Sequence, residues 1–204
     1  MALAALANEH CIVRNDELNA SNDAKHRELS YGQRRHLIDQ LGQLAIDSAF
    51  DKCAEPTAIS NANVDIALMQ HLGFDRFAIA GHDRGSHTAF RTAMDHPSAV
   101  THLIVLDAVP ILEALERCDT RFATAWWHWF FFAQQEKPER AINADPDAWH
   151  GGSAEQMGPE AYADYSAAVH DPRVIHGMIE DYRAGITIDR LHDAEDREAG
   201  RRIE

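Results

Sequence analysis

Cysteine is scarce in this chain, with three in 204 residues. Cys11, Cys53 and Cys118 are odd in number and show no paired spacing. That argues against a disulfide framework and against a zinc site, and points to a reducing compartment. Basic side chains are also few: 19 Lys and Arg stand against 33 Asp and Glu, a formal charge of -14. A nucleic-acid partner needs a basic face, so none is expected. A small anionic substrate stays compatible, because local arginines set the field within a pocket. Long apolar runs are missing too. Nothing approaches the roughly 20 residues of a membrane span. The opening MALAALANEH lacks the basic start of a secretory signal. A cytoplasmic protein without membrane contact is the expectation.

Glycine is rare early on, only Gly32 and Gly42 before residue 57. Residues 1–56 accordingly offer no glycine-rich turn after a strand and no convincing buried strand. A short helical patch over residues 2–7 and an amphipathic segment over residues 31–50, with Leu37, Leu41, Leu44 and Ile46 near one stripe, are the readable features. From Thr57 the texture changes. Asn63 can cap a helix reaching about Leu72, Gly73 ends it, and Phe77 to Ala80 reads as a short apolar strand. Residues 86–95 read as a helix stopped by His96-Pro97, and residues 100–106 as a second strand. Helix, strand, helix, strand predicts an α/β protein with a parallel sheet and right-handed crossovers.

Beyond Pro110 the pattern is helical, in four segments over residues 112–118, 121–135, 159–169 and 172–182. The expected division is therefore a poorly matched region over 1–56, an α/β core fragment over 57–110, a helical cap over 111–188 and a charged, solvated tail over 189–204.

Chemistry concentrates where the first strand ends. Gly81-His82-Asp83-Arg84-Gly85 has the spacing of a nucleophile elbow, with an aspartate where serine hydrolases carry serine. An Asp there sits at a helix N-terminus beside Arg84, and both favour the ionised carboxylate that a nucleophile requires. Attack on a carbon bearing a leaving group gives an alkyl-enzyme ester, which water must then cleave with the help of a base. The plainer reading of Asp83 is a helix cap. Asp107 ends the next strand on the same rim of the sheet. It reads either as the acid that orients a histidine base or as a turn residue before Val109-Pro110.

Further pieces occur in order: Met94-Asp95-His96-Pro97, Leu106-Asp107-Ala108-Val109-Pro110, Trp127-His128-Trp129 and Asp181-Tyr182-Arg183-Ala184-Gly185. With the elbow they resemble the haloacetate (fluoroacetate) dehalogenases of the α/β-hydrolase superfamily, over about residues 62–192. The resemblance implies a partial α/β-hydrolase fold with a helical cap, Asp83 as nucleophile and Asp107 as its acid partner. It implies that Arg84 grips the carboxylate of a small haloacid substrate, and that His128, Trp129 and Tyr182 hold the departing halide. His87 stands where a second arginine usually binds the carboxylate, and a neutral imidazole can give one hydrogen bond there. No metal and no cofactor are implied. A homodimer is known in the family, and the sequence leaves it open.

Two family features are not found in the sequence. Residues 1–56 contain no His-Gly pair to supply oxyanion-hole amides. The chain stops at Glu204, where two more strands and the catalytic histidine are expected; His128, His150, His170, His176 and His192 all fall in the cap or its exit. A truncated product whose N-terminal segment lost the family sequence, for instance by a change of reading frame, is the corresponding expectation. A non-catalytic remnant or interaction module therefore competes with the dehalogenase reading. An epoxide-hydrolase-like relative would want cap tyrosines, and an esterase would find Asp83 an unsuitable nucleophile.

Overall fold

The computed structural model describes residues 12–14 and 57–203. The helical readings over residues 2–7 and 31–50 lie outside the described residues. The order is β1 (Ile12–Arg14), α1 (Ala58–His71), β2 (Phe77–His82), α2 (Arg84–Asp95) and β3 (Val100–Leu106). The helices α3 (Ile111–Glu116), α4 (Thr120–Ala125), α5 (Trp127–Phe132), α6 (Lys137–Ala144), α7 (Pro146–Trp149), α8 (Ala154–Met157), α9 (Pro159–Val169) and α10 (Pro172–Ala184) follow. A π turn, Gly185–Asp189, leads into α11 (Arg190–Glu198). Among the described residues no helix is long and apolar enough to cross a membrane.

The sheet order is β1-β2-β3. β2 and β3 run parallel, with Ile79 opposite Leu103 and His82 opposite Leu106. β1 pairs antiparallel with β2, Val13 facing Ile79. The parallel pair is the one expected, and β1 adds a strand before residue 57 that the sequence did not display. Three residues are too short to display an alternation in sequence, so only pairing reveals the strand.

Along β2 the side chains alternate, Phe77, Ile79 and Gly81 buried and their neighbours half-buried, as a pleated strand requires. Phe77 and Ile79 pack with Met69 of α1 and Ala89 of α2. Each such side chain stabilises the fold by about 1.5–3 kcal/mol. β3 is different. Its apolar residues Ile104, Val105 and Leu106 are exposed, Ile104 by 53%. A second core, Phe132, Ile142, Ile175 and Ile179, holds α5, α6 and α10 together. Helix α6 went unread because Lys137-Pro138 looks like a break, whereas proline is at home in a first helical turn. The expected helix over 121–135 is divided at Trp126, which ends α4 and caps α5.

The 189–204 stretch is not a solvated tail. Asp189 and Asp196 are buried. Asp189 accepts a hydrogen bond from the backbone N–H of Ala58 at 3.0 Å. Asp196 pairs with Arg91 of α2 and with Arg201. Charge in the sequence reads as exposure, but each of these acids meets a partner from a distant segment.

One buried acid has weaker company. Asp65 of α1 lies against α2, with Thr92 Oγ1 at 3.3 Å, and burial pushes its pKa up to about 7. Thr92 Oγ1 also lies 2.9 Å from the Thr88 carbonyl, which can only accept. A protonated Asp65 can donate to Thr92 and complete that chain, whereas a carboxylate competes for the same hydroxyl proton. The folded pKa is raised above the unfolded value of 3.8, so this contribution is full below pH 3.8 and is lost as pH rises through 7. Asp65→Asn is expected to match the natural chain at pH 4 and to exceed it at pH 8 by about 3 kcal/mol. Denaturant unfolding at the two pH values checks this.

Candidate active site

β2 and α2 meet at a crossing that only glycine permits. A Cβ on Gly81 would stand 2.1 Å from the Gly85 carbonyl oxygen. Between them Asp83 turns the chain with φ 53°, a left-handed conformation in which Asp is among the more tolerant residues. Three bonds fix the turn. Asp83 N–H donates to Leu106 O at 3.1 Å. The Ser86 hydroxyl lies 2.6 Å from Gly81 O and accepts from Leu106 N–H at 3.2 Å. Asp83 makes no side-chain cap bond to α2, so its carboxylate is not spent on the helix in the way a structural cap would be.

The carboxylate opens on a cavity of about 330 Å³. Its wall includes His87, Asp107, Val109, Phe122, Trp126 and Trp129. A larger groove of about 1340 Å³ lies against β3 and the segment ending in Ile203, with neither acid in its wall. Asp107 also has a positive φ, 57°. Its side chain is 79% exposed, and His82 Nε2 stands 3.8 Å from it, beyond hydrogen-bond reach. Among the described residues no histidine is oriented by Asp107.

The helices after β3 bring three donors together. The ring of Tyr182 on α10 lies 5.8 Å from that of His128 and 6.5 Å from that of Trp129, both on α5. Trp129 is 7% exposed, and its buried indole N–H has no hydrogen-bond partner among the described residues. Such a group costs about 1–3 kcal/mol and calls for an explanation. His128 is half-buried; desolvation lowers its pKa, while the charge of Asp83 pulls it back up. That coupling places the imidazole within the field of the elbow carboxylate.

Arg84 is placed differently from its expected role. It is 4% exposed and points at α10. Its Nε–H donates to Asp181 Oδ2 at 2.6 Å and its Nη2 to Asp181 O at 2.8 Å. Nη1 lies 3.1 Å from His87 Nδ1, and the guanidinium stacks 5.1 Å over Tyr182. Gly185 leaves room for it, since a Cβ there would come 2.8 Å from Nη1. This explains much of the Asp181-Tyr182-Arg183-Ala184-Gly185 motif. Asp181 belongs to that motif, but its pairing with Arg84, 97 residues away, has no local sequence signal. Arg183 serves the cap itself, donating to Gln134 O and pairing with Glu139 and Glu180.

His87 is also committed. Nε2 lies 3.1 Å from Val109 O, an acceptor, so Nε2 carries the proton and Nδ1 accepts from Arg84. Burial and the Arg84 charge push its pKa down to about 3. The ring is neutral, with both nitrogens occupied. In this arrangement His87 pairs with Arg84 and Val109, where the resemblance implies a hydrogen bond to a substrate carboxylate.

For a metal, Glu139, His176 and Glu180 bring ligand atoms within 4.8 Å of one another. Arg183 already supplies a cation to both glutamates there, 2.7 Å from Glu139.

Comparison with known proteins agrees with this geometry. The family described as the alpha/beta hydrolase fold matches residues 24–136. The matched span thus reaches into the stretch where the sequence displayed no family pattern. A fluoroacetate dehalogenase from Burkholderia sp. is 44% identical over 131 residues, 60% of this chain and 43% of that protein. A soluble epoxide hydrolase from Corynebacterium sp. is 42% identical over 43 residues, 21% of this chain and 15% of that protein. A variant of a Pseudomonas aeruginosa protein provisionally called an epoxide hydrolase superposes with a TM-score of 0.68 at 40% identity, covering 74% of this chain and 54% of that one. The chain therefore spans half or less of the length of these relatives, apart from the Pseudomonas protein, of which it spans slightly more than half. With an aspartate at the turn between parallel strand and helix, these matches show that the chain belongs to the α/β-hydrolase fold family, in the neighbourhood of the fluoroacetate dehalogenases.

Proposed function

We propose that Asp83 is a nucleophile that displaces halide from a small haloalkyl compound. A carboxylate oxygen of Asp83 forms a bond to the carbon as the carbon–halogen bond breaks, and the electron pair leaves with the halide. The product is an alkyl ester on Asp83. The single observation that carries this reading is the buried indole N–H of Trp129, which has no partner among the described residues and belongs to a side chain that lines the cavity onto which Asp83 opens. A halide ion is an acceptor only and would satisfy that donor. The imidazole of His128 and the phenol of Tyr182 stand beside it. Donors aimed at a developing anion favour the transition state over the ground state.

The likeness to an epoxide hydrolase shares the aspartate but supports the reading less. An epoxide oxygen needs a proton donor from the cap, and Tyr165 spends its hydroxyl on Gly151 O at 2.5 Å. Tyr182 is the cap tyrosine that joins the aromatic group around Trp129. Cleavage of the ester by water needs a base, and among the described residues none is held by Asp107. The reading therefore covers the first half-reaction. The cysteine usage keeps a cytoplasmic location within the same proposal.

Trp129→Phe keeps the aromatic packing and deletes the N–H. It is expected to slow formation of the Asp83 ester by about 10²-fold. Intact-protein mass spectrometry during exposure to a haloalkyl reagent measures that rate, with a thermal melt as a control on packing. An unchanged rate in a variant that melts normally removes the halide cradle from the proposal.

A further inference from the structure

Resting on the reading of Asp83 as nucleophile, we infer that Asp181 is a positioning residue of the same site: acting through Arg84, it sets where the Tyr182 hydroxyl stands relative to Asp83. The order of residues carries this. Arg84 directly follows Asp83, and Asp181 directly precedes Tyr182. The two inner members are joined across 97 residues, with Arg84 Nε–H donating to Asp181 Oδ2 at 2.6 Å and Nη2 to Asp181 O at 2.8 Å. One bond goes to the side chain and one to the backbone of the residue beside Tyr182, so the guanidinium holds the last turn of α10 as well as a carboxylate. The attacking carboxylate and the phenol are each one residue from this joint.

Other contacts stiffen it. The Arg84 side chain is 4% exposed and that of Asp181 18%, so water competes little for the pair. The guanidinium carbon lies 5.1 Å from the centre of the Tyr182 ring, within cation–π range. The same ring packs against Phe132 at 5.0 Å. A planar guanidinium fixes direction in a way that a point charge does not. Without Asp181, α10 keeps its apolar core through Ile175 and Ile179. Its last turn, however, loses the contact that registers Tyr182 against α2.

Donor position matters unequally for different halides. A departing chloride is compact and lets a donor approach closely, whereas iodide is larger and spreads its charge, so a misplaced O–H slows the chloro compound more. The ratio of chloride to iodide displacement therefore reports on donor position, while a general loss of folded protein lowers both rates alike.

The test follows alkylation of Asp83 in the intact chain by chloroacetate and by iodoacetate. Peptide mapping separates it from labelling of Cys11, Cys53 and Cys118. The two reagents share one carboxylate, so any change in carboxylate binding cancels in the ratio of their rates. Asp181→Ala is expected to lower the chloro-to-iodo ratio by about tenfold, less than outright removal of a donor would. Asp181→Asn keeps the shape and an acceptor for Nε, and should lower the ratio by about threefold; it carries the test if the alanine variant does not fold. In Tyr182→Phe there is no hydroxyl to place, so adding Asp181→Asn should leave the ratio where Tyr182→Phe alone puts it. An unchanged ratio in the Asp181 variants, with Asp83 still labelled, overturns the positioning role and leaves the nucleophile standing. A ratio that falls further when Asp181→Asn is added to Tyr182→Phe overturns it as well. No labelling of Asp83 by either reagent in the natural chain overturns the nucleophile, and the inference with it.

Discussion

Asp83→Asn is expected to lower the rate of ester formation at position 83 by about 10⁴-fold or more, the scale on which removing a nucleophile acts. An amide oxygen is a far weaker nucleophile than a carboxylate, while the side chain keeps its shape. Asparagine also tolerates the positive φ of 53° that the elbow imposes. The melting temperature should therefore move little, because the turn is fixed by the backbone bond to Leu106 O and by Ser86, not by the Asp83 side chain. Mass spectrometry after exposure to chloroacetate reads the loss. Undiminished labelling of the same tryptic segment in the variant would assign the adduct to another side chain and remove Asp83 as the attacking group.

Arg91→Ala should have the largest effect on stability. Arg91 is 3% exposed and gathers acids from two helices. Its Nη2 lies 2.5 Å from Asp95 Oδ1 and 2.6 Å from Asp196 Oδ2, and its Nη1 lies 3.6 Å from Asp193 Oδ1. Burial raises the pKa of Asp193, and the Arg91 charge opposes that rise. Truncation leaves Asp196 buried with Arg201 as its cation, and Asp193 short of one. Removing one partner from a buried ionic group costs about 3–5 kcal/mol, because the other charge stays out of water. For a chain of this size that lowers the melting temperature by roughly 10 °C. Arg197 of α11, exposed and paired with Glu116, is the control from the helix that carries Asp193 and Asp196, and its truncation should change little. If both variants melt alike, the Arg91 cluster does not anchor α11.

His87 adds a pH dependence of the opposite sense to that of Asp65. Its folded pKa, about 3, lies below the unfolded 6.5, so the unfolded chain binds the proton first. The stability linked to it is complete above pH 6.5 and declines as pH falls toward 3. Comparing Asp65→Asn with the natural chain at one pH cancels this contribution.

Local chemistry was legible where one short segment suffices. The glycine-flanked aspartate between an apolar run and a helix predicted a tight strand-to-helix turn, because the Gly81–Gly85 approach and the tolerance of Asp for positive φ are properties of those residues themselves. The aromatic trio was legible as a motif. Its meeting of His128 and Trp129 with Tyr182 required α5 and α10 to pack on one core. β1 escaped notice because three residues carry no periodicity. The buried acids of α11 escaped because composition cannot show which charge has a partner.

By itself, then, the sequence determined that an aspartate stands at the turn between β2 and α2, that helices follow β3, and that these helices carry aromatic N–H and O–H donors. Whether each charged side chain serves the substrate or the fold was decided by tertiary structure alone. Arg84 lies next to Asp83 in the chain, yet Asp181 claims it from a distant helix, and His87 spends both nitrogens on Arg84 and Val109. A charge's role depends on the partner within a few ångströms, and distance in space is not written in the order of residues.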